Sequence, residues 1–179
     1  MEEGVMLLLS LELNAFLFPF FFIFVSLLVA RLVPFKNWFG KPRSLVHFAQ
    51  WAFLILIALL GVAFATGIIA EQLGIHDMQE VDASIDTIAR EPFSGIVQLI
   101  LSAAGEELFF RGVLQTIIGT FSIPLFAIMH AGYGSVTQIA AALVGGIVLF
   151  LGREKSGSIY PGLIAHFLYN VLAVFFIQA

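Results

Sequence analysis

Three charged side chains lie inside an apolar run from Phe93 to Gly119: Glu106, Glu107 and Arg111. Because an ionisable side chain at membrane depth is costly, such residues in a spanning segment indicate a functional site. On an α-helix Glu107 and Arg111 are four residues apart, so they can form an ion pair within the helix. Glu106 points away from Arg111 and by this geometry has no partner in its own helix. It therefore needs a partner on another helix, or it holds a proton.

The composition is that of a polytopic membrane protein. Of the 179 residues, 60% are hydrophobic and only 11% are charged, which argues against a soluble fold. The chain has no cysteine, which excludes disulfides, thiolate catalysis and cysteine-ligated metal sites. With a net charge of -4 and no long basic run, nucleic acid is not an expected partner. The N-terminus lacks the features of a cleaved signal peptide, so the first apolar run is expected to remain as a span.

The apolar runs predict an all-α fold, a transmembrane helix bundle of about six spans with a short amphipathic surface helix. The predicted spans are residues 13–33, 45–69, 93–119, 120–131, 136–151 and 158–178. The connections at 31–43 and 153–157 are basic, whereas the connection at 70–92 is acidic. The positive-inside rule therefore places the two basic connections in the cytoplasm and both termini outside.

The acidic connection between the second and third spans predicts a short helix. Asp77-x-x-Glu80 has the pattern of a capping box, and apolar residues follow at helical spacing: Met78, Val81, Ile85 and Ile88. We expect this amphipathic helix to lie on the outer surface or over the bundle. A solvated linker helix explains the pattern better than a substrate gate does.

Four polar groups from three predicted spans share a similar depth. Counting about 1.5 Å per residue from the cytoplasmic ends places Glu106 and Asn170 roughly 20 Å deep, and His130 and His166 about 15 Å deep. His166 and Asn170 are four residues apart and so share a helix face. A single intramembrane histidine is usually a packing residue, and a glutamate pair can be structural. The common level of all four groups favours a site.

A carboxylate, two imidazoles and an amide suit the hydrolysis of an acyl or peptide bond by activated water. Glutamate beside histidine can remove a proton from water, and a second histidine and an asparagine can donate hydrogen bonds to the developing oxyanion. Serine catalysis is less well supported, because the chain has no Gly-x-Ser-x-Gly motif and Ser102 has no evident oxyanion partner. A zinc or iron site is an alternative, although His-Glu-x-x-His is absent.

Three motifs occur in order at these residues. They read Glu106-Glu107-Leu-Phe-Phe-Arg111, then Phe126-Ala-Ile-Met-His130, then His166-Phe-Leu-Tyr-Asn170. Together they resemble the pattern of the CAAX prenyl protease and bacteriocin-processing (CPBP, or Abi) family of glutamate intramembrane proteases. The resemblance covers roughly residues 93–175.

This resemblance implies a role for each motif residue. Glu106 is the implied catalytic carboxylate, and His130 helps it to hold and activate the water. His166 and Asn170 form the implied oxyanion site. The implied supporting residues are Glu107, Arg111 and Phe126. The resemblance implies no metal and no other cofactor.

The resemblance also implies an intramembrane endopeptidase similar to type II CAAX prenyl endopeptidases. Residues 1–92 then hold two spans and the outer acidic segment, and residues 93–179 form a catalytic core of four spans. The expected partners are the lipid bilayer and a peptide substrate, lipidated or plain. Prenyl-processing members have more spans than this chain, so a compact member in a prokaryotic cell membrane that acts on another peptide also fits.

Two functions without catalysis are left open by the same residues. A membrane immunity or scaffold protein would use the polar cluster to bind a peptide or a membrane partner. A proton-coupled transporter would use glutamate and histidine as relay groups, but the chain shows no internal repeat. The substitution Glu106→Gln distinguishes the protease from the immunity or scaffold protein, because it removes the proposed base while keeping the shape of the side chain.

Overall fold

Helix follows helix along the chain. The computed structural model describes the backbone of residues 2–32 and 38–177 and the side chains of residues 17–32 and 38–175. The α-helices are α1 Glu2–Leu32, α2 Leu45–Gln72, α3 Gln79–Arg90, α4 Pro92–Glu106, α5 Gln115–Ile118, α6 Ser122–Met129, α7 Val136–Ser156 and α8 Tyr160–Leu172. Two π-helices, Glu107–Leu114 and Ala173–Ile177, and two 3-10 turns, Gly119–Phe121 and His130–Tyr133, complete the order. The predicted all-α fold is confirmed for these residues.

Among the residues whose side chains the structure describes, three helical runs are long and apolar enough to cross a membrane: Leu45–Gln72, Pro92–Tyr133 and Val136–Ser156. Two shorter apolar runs are Leu17–Leu32 and Tyr160–Phe175. Large apolar side chains such as Phe24 and Phe64 are exposed on the outside of the bundle, as expected for contact with lipid. The chain is therefore a multi-pass membrane protein.

The count of about six spans stays a prediction. The run Pro92–Tyr133 has 42 residues and contains both the third and the fourth predicted spans, which meet near the 3-10 turn Gly119–Phe121. Residues 33–37 and 178–179 belong to the predicted basic connection and to the end of the chain, and they lie outside the described residues.

The described helices pack around two buried clusters. Helix α1 lies against α4 and the first π-helix, α2 lies against α7 and α8, α6 packs on α7, and α8 also lies against α4. The contact between α1 and α4 is close, because a Cβ atom at Gly105 would lie 2.8 Å from the carbonyl oxygen of Pro19. One buried cluster joins α1, the first π-helix, α6 and α7: Phe22, Phe110, Phe126 and Ala142. The other joins α2, α7 and α8: Ile55, Leu59, Leu149 and Ala165. Helix α7 therefore packs in both clusters.

The predicted surface helix is present as α3, which buries Val81 and packs on α4. Its predicted capping box is wrong. The N-cap residue is Met78, and no side chain caps the helix. Glycine at position 95 permits the close contact with α4, because a Cβ atom there would lie 2.5 Å from the carbonyl oxygen of Ile88.

Asp77 caps another helix instead. One carboxylate oxygen accepts the Ser135 hydroxyl at 3.1 Å, and the other accepts the backbone N–H groups of Val136 and Thr137. These N–H groups begin α7, where Ser135 is the N-cap and accepts the N–H of Gln138 at 2.9 Å. The connection between α2 and α3 is thus fastened to the start of α7, directly after the turn that carries His130.

Candidate active site

The two glutamates lie at a junction between two kinds of helix. Helix α4 ends at Glu106, and Glu107 begins a π-helix of eight residues. The N–H of Gln115 donates to the carbonyl of Phe110, five residues earlier, as π-helical bonding requires. The sequence pattern predicted a regular α-helix here, so this is a correction. Single-turn π segments within α-helices are frequent at functional sites.

Glu107 is fully buried and has cationic and imidazole partners. Its Oε1 atom lies 3.8 Å from Arg111 Nε and 3.1 Å from His166 Nδ1. The predicted ion pair with Arg111 is therefore present. Gly162 leaves room for the carboxylate, because a Cβ atom there would lie 3.2 Å from Glu107 Oε2. A carboxylate in this position is compensated by its partners, which is what a buried charge requires.

Arg111 joins the π-helix to α6 and α7. Its guanidinium carbon lies 4.0 Å from the ring centroid of Phe126, and Nη2 donates to the carbonyl of Gly146 at 3.4 Å. The arginine side chain is buried, so the aromatic face and the carbonyl replace part of its lost hydration. Phe126 in turn contacts the rings of His130 and His166, with centroids 4.7 Å and 6.3 Å away. The supporting residues thus hold the motif residues together.

Glu106 has a different environment. Its side chain is 17% exposed, and Oε1 accepts a hydrogen bond from Ser102 Oγ at 2.8 Å. The expectation that Glu106 has no partner in its own helix is therefore wrong, because Ser102 lies one turn earlier on α4. The other oxygen, Oε2, lies 3.8 Å from His166 Nε2 and has no hydrogen-bond partner among the described residues.

His166 lies between the two glutamates. Nδ1 faces Glu107 and Nε2 faces Glu106. A carboxylate only accepts hydrogen bonds, so Nδ1 of His166 carries the proton in the bond to Glu107. The second nitrogen remains for chemistry beside Glu106. The sequence predicted that these two groups share one depth, and the structure brings them together.

His130 and Asn170 lie at the edge of this cluster. His130 Nδ1 is 2.9 Å from the carbonyl of Phe126, which only accepts, so Nδ1 is the protonated nitrogen and Nε2 is an acceptor. Neither glutamate lies within ion-pair distance of His130 in the described part of the chain. Asn170 is half-buried on α8, one turn beyond His166, and its side chain has no hydrogen bond to another described residue.

Three contributors were not predicted from the sequence as part of the site. They are Ser102, Gly146 and Gly162, which hold Glu106, accept from Arg111 and make room for Glu107. The four-residue spacing from Ser102 to Glu106 was a usable signal, since side chains at that spacing meet on a helix. The two glycines gave no comparable signal, because they act across helices. Among the described residues, no group of three or more His, Asp or Glu side chains is arranged to hold a metal ion.

One of three comparisons with known proteins found a similar family. Residues 89–172 match the family described as type II CAAX prenyl endopeptidase Rce1-like. A comparison with curated proteins and one with solved structures each gave no match. The matched segment runs from the end of α3 to the end of α8 and includes every motif residue. The resemblance to the CAAX prenyl protease family that the three motifs predicted is confirmed.

Proposed function

From the match of residues 89–172 to the Rce1-like family, we propose that this protein is an intramembrane endopeptidase in which Glu106 activates a water molecule. The observation that supports this most is the difference between the two glutamates. Glu107 is fully buried and has Arg111 and His166 on Oε1, whereas Glu106 is 17% exposed and has only the neutral hydroxyl of Ser102 on Oε1. In each glutamate Oε2 has no hydrogen-bond partner among the described residues. A carboxylate with a free oxygen and no arginine bound to it is the better suited of the two to act as a general base.

The proposed reaction begins with a water molecule hydrogen-bonded to Glu106 Oε2. His130 Nε2 is an acceptor and can receive the second hydrogen bond of that water. Glu106 removes a proton as the water oxygen attacks the carbonyl carbon of the peptide bond. Glu106 then gives the proton to the amide nitrogen as the carbon–nitrogen bond breaks, so no covalent enzyme intermediate forms.

The developing oxyanion needs hydrogen-bond donors. The side-chain amide of Asn170 is a donor one turn beyond His166, and Nε2 of His166 is a donor when protonated. Both come from the same face of α8, so one carbonyl oxygen can contact the two groups. Removing one oxyanion donor typically slows a reaction by about 10²–10³-fold. Asn170→Ala should therefore lower kcat by a similar factor.

The substrate we propose is a peptide segment, lipidated or plain, that reaches the site from the bilayer or from the cytoplasmic side. The catalytic part is the four-span core of residues 93–179. No cofactor is needed for the proposed steps. Cleavage should therefore be unchanged in the presence of a chelator, and chelator-sensitive cleavage would favour a metal-dependent reaction.

The deciding experiment compares Glu106→Gln with the wild type and with Glu80→Gln, an exposed glutamate on α3. Purified protein in proteoliposomes is incubated with prenylated and plain peptides, and the products are identified by mass spectrometry. We expect Glu106→Gln to lose cleavage and to retain its melting temperature, whereas Glu80→Gln retains both. Full cleavage by Glu106→Gln would exclude the proposed base. Binding of a peptide by both proteins without cleavage would favour a non-catalytic immunity or scaffold protein.

A further inference from the structure

We infer that Ser102 is a positioning residue, which holds one carboxylate oxygen of Glu106 so that the other faces His166. Ser102 Oγ donates to Glu106 Oε1 at 2.8 Å, and Glu106 Oε2 lies 3.8 Å from His166 Nε2. This inference rests on the proposed function, because the orientation matters only if Glu106 acts on water. Ser102 is not one of the motif residues.

The hydrogen bond of Ser102 differs from those of most hydroxyl groups inside the helices that the structure describes. Serine and threonine inside helices commonly donate back to the carbonyl four residues earlier. In the described helices, several hydroxyl groups do so: Ser26, Thr66, Ser84, Thr87 and Thr116. The hydroxyl of Ser102 instead points forward to the carboxylate of Glu106. The hydroxyl group of Ser102 therefore orients the side chain of Glu106 and does not bond to a backbone carbonyl.

The donor is also neutral, and this separates the two glutamates. Arg111 and His166 both lie on Oε1 of Glu107, and they compensate that carboxylate. A hydroxyl group on Oε1 of Glu106 fixes its direction without adding a positive charge. Glu106 is therefore oriented without the direct neutralisation that Arg111 gives to Glu107, and Glu107 has a structural role.

Without Ser102 the carboxylate of Glu106 would be poorly fixed. Its other close polar approach in the described structure is the 3.8 Å distance from Oε2 to His166 Nε2, which is longer than a hydrogen bond. No hydrogen bond to another described residue would then select one rotamer of Glu106. A smaller fraction of molecules would then hold Oε2 in the reactive direction. This lowers kcat and leaves KM unchanged, because Ser102 is not proposed to touch the substrate.

The test compares three variants in proteoliposomes: Ser102→Ala, Ser102→Thr and, as a matched control, Ser26→Ala. Ser26 is a buried helical serine that bonds to the backbone carbonyl of Phe22. The probe is a quenched-fluorescence peptide that ends in a farnesylated Cys-aliphatic-aliphatic-Met sequence, with the same peptide lacking the lipid as a second probe. We expect Ser102→Ala to lower kcat about tenfold with KM within about twofold, the loss of one hydrogen bond to a charged group.

Ser102→Thr keeps the hydroxyl and should restore kcat to within about threefold of the wild type, and Ser26→Ala should match the wild type. Equal activity of Ser102→Ala and the wild type, with Glu106→Gln inactive, would overturn the role of Ser102 alone. Cleavage by Glu106→Gln would overturn the proposed function itself. A measurement without activity is the double-mutant cycle of Ser102→Ala and Glu106→Ala in unfolding free energy, because alanine at either position removes the hydrogen bond. We expect coupling between these two positions and none between Ser26 and Glu106, and absence of coupling at Ser102 contradicts the inference.

Discussion

The guanidinium carbon of Arg111 lies 4.0 Å from the ring centroid of Phe126. Arg111 belongs to the first motif and Phe126 to the second, so this contact connects the two motifs across two helices. Phe126 also touches the ring of His130. A cation over an aromatic face is stabilising, and more so where both groups are removed from water. Each of the two side chains is buried here. The arrangement explains why an aromatic residue is placed four positions before His130.

Replacing Phe126 by leucine should therefore destabilise the protein by about 2 kcal/mol, because the aromatic face under Arg111 is lost. The histidine rings on either side lose their contact as well, so we expect cleavage to fall at the same time. Phe121→Leu is the matched control, since Phe121 is 73% exposed. Chemical unfolding in detergent measures the difference, and equal stability of the two variants would refute the role of the ring.

Removing the charge of Glu107 should be more costly. Glu107→Gln leaves the buried guanidinium of Arg111 without its anionic partner, and breaking such a pair typically costs about 3–5 kcal/mol. The double variant Glu107→Gln, Arg111→Met removes both charges and should recover much of this stability. Cleavage should stay low in both variants, since the neutral amide oxygen of glutamine is a weaker acceptor for the Nδ1 proton of His166 than the carboxylate is. If the double variant is no more stable than the single one, the buried pair is not the reason for the loss.

A small side chain at position 162 tests the space around Glu107. In Gly162→Ala the new Cβ atom would lie 3.2 Å from Glu107 Oε2, so the carboxylate must shift by a few tenths of an ångström. His166 is bonded to the same carboxylate and should move with it, lowering kcat about tenfold. Gly67→Ala on α2, where no atom lies within 4 Å, is the control and should keep full activity. Unchanged kinetics of Gly162→Ala would show that the site tolerates this shift.

Asp77 predicts a dependence of stability on pH outside the membrane. Hydrogen bonds from Thr137 and Val136, through their backbone N–H groups, and from the hydroxyl of Ser135 lower the pKa of Asp77, against an opposing effect of burial. A lowered pKa in the folded state means that the stabilisation is complete above the unfolded value of about 3.9 and is lost as the pH falls through the folded value. The melting temperature of Asp77→Asn should lie below that of the wild type at neutral pH.

This difference should shrink as the pH falls below about 4, because the wild-type carboxylate then takes up a proton. Hydrogen exchange at the N–H groups of Val136 and Thr137 gives a local measure of the same tether. Asp86→Asn, an exposed residue on α3, serves as the control and should show no such change. A constant difference between Asp77→Asn and the wild type across this pH range would contradict the assignment.

The sequence predicted those features of the structure that depend on the geometry of a single helix. Glu107 and Arg111 pair at a spacing of four, and α3 follows from the spacing of its apolar residues. These features depend on helical periodicity, which a single sequence contains. The similar depth estimated for Glu106 and His166 indicated a site at one level of the membrane, but the contact between them is seen only in the structure.

Other features depend on contacts between distant residues. Asp77 and Glu80 have the pattern of a capping box, but Asp77 binds the start of α7, 58 residues away at the nearest. The N–H groups at the start of α3 and those at the start of α7 could each bond to this carboxylate. The local sequence does not show which of the two helices Asp77 caps. The π-helix from Glu107 was likewise not predictable, since its hydrogen bonds shift by one residue while the apolar pattern is unchanged.

The close approach of Gly105 to Pro19 makes the N-terminal helix a fitted part of the bundle. Only a bare backbone fits between the last turn before Glu106 and the carbonyl of Pro19, so the first helix packs directly on the helix end that carries Glu106. The N-terminal half is thus more than a detachable membrane anchor. A shortened chain that keeps every motif residue but lacks the first helix would expose this helix end, with the proposed catalytic carboxylate, to lipid.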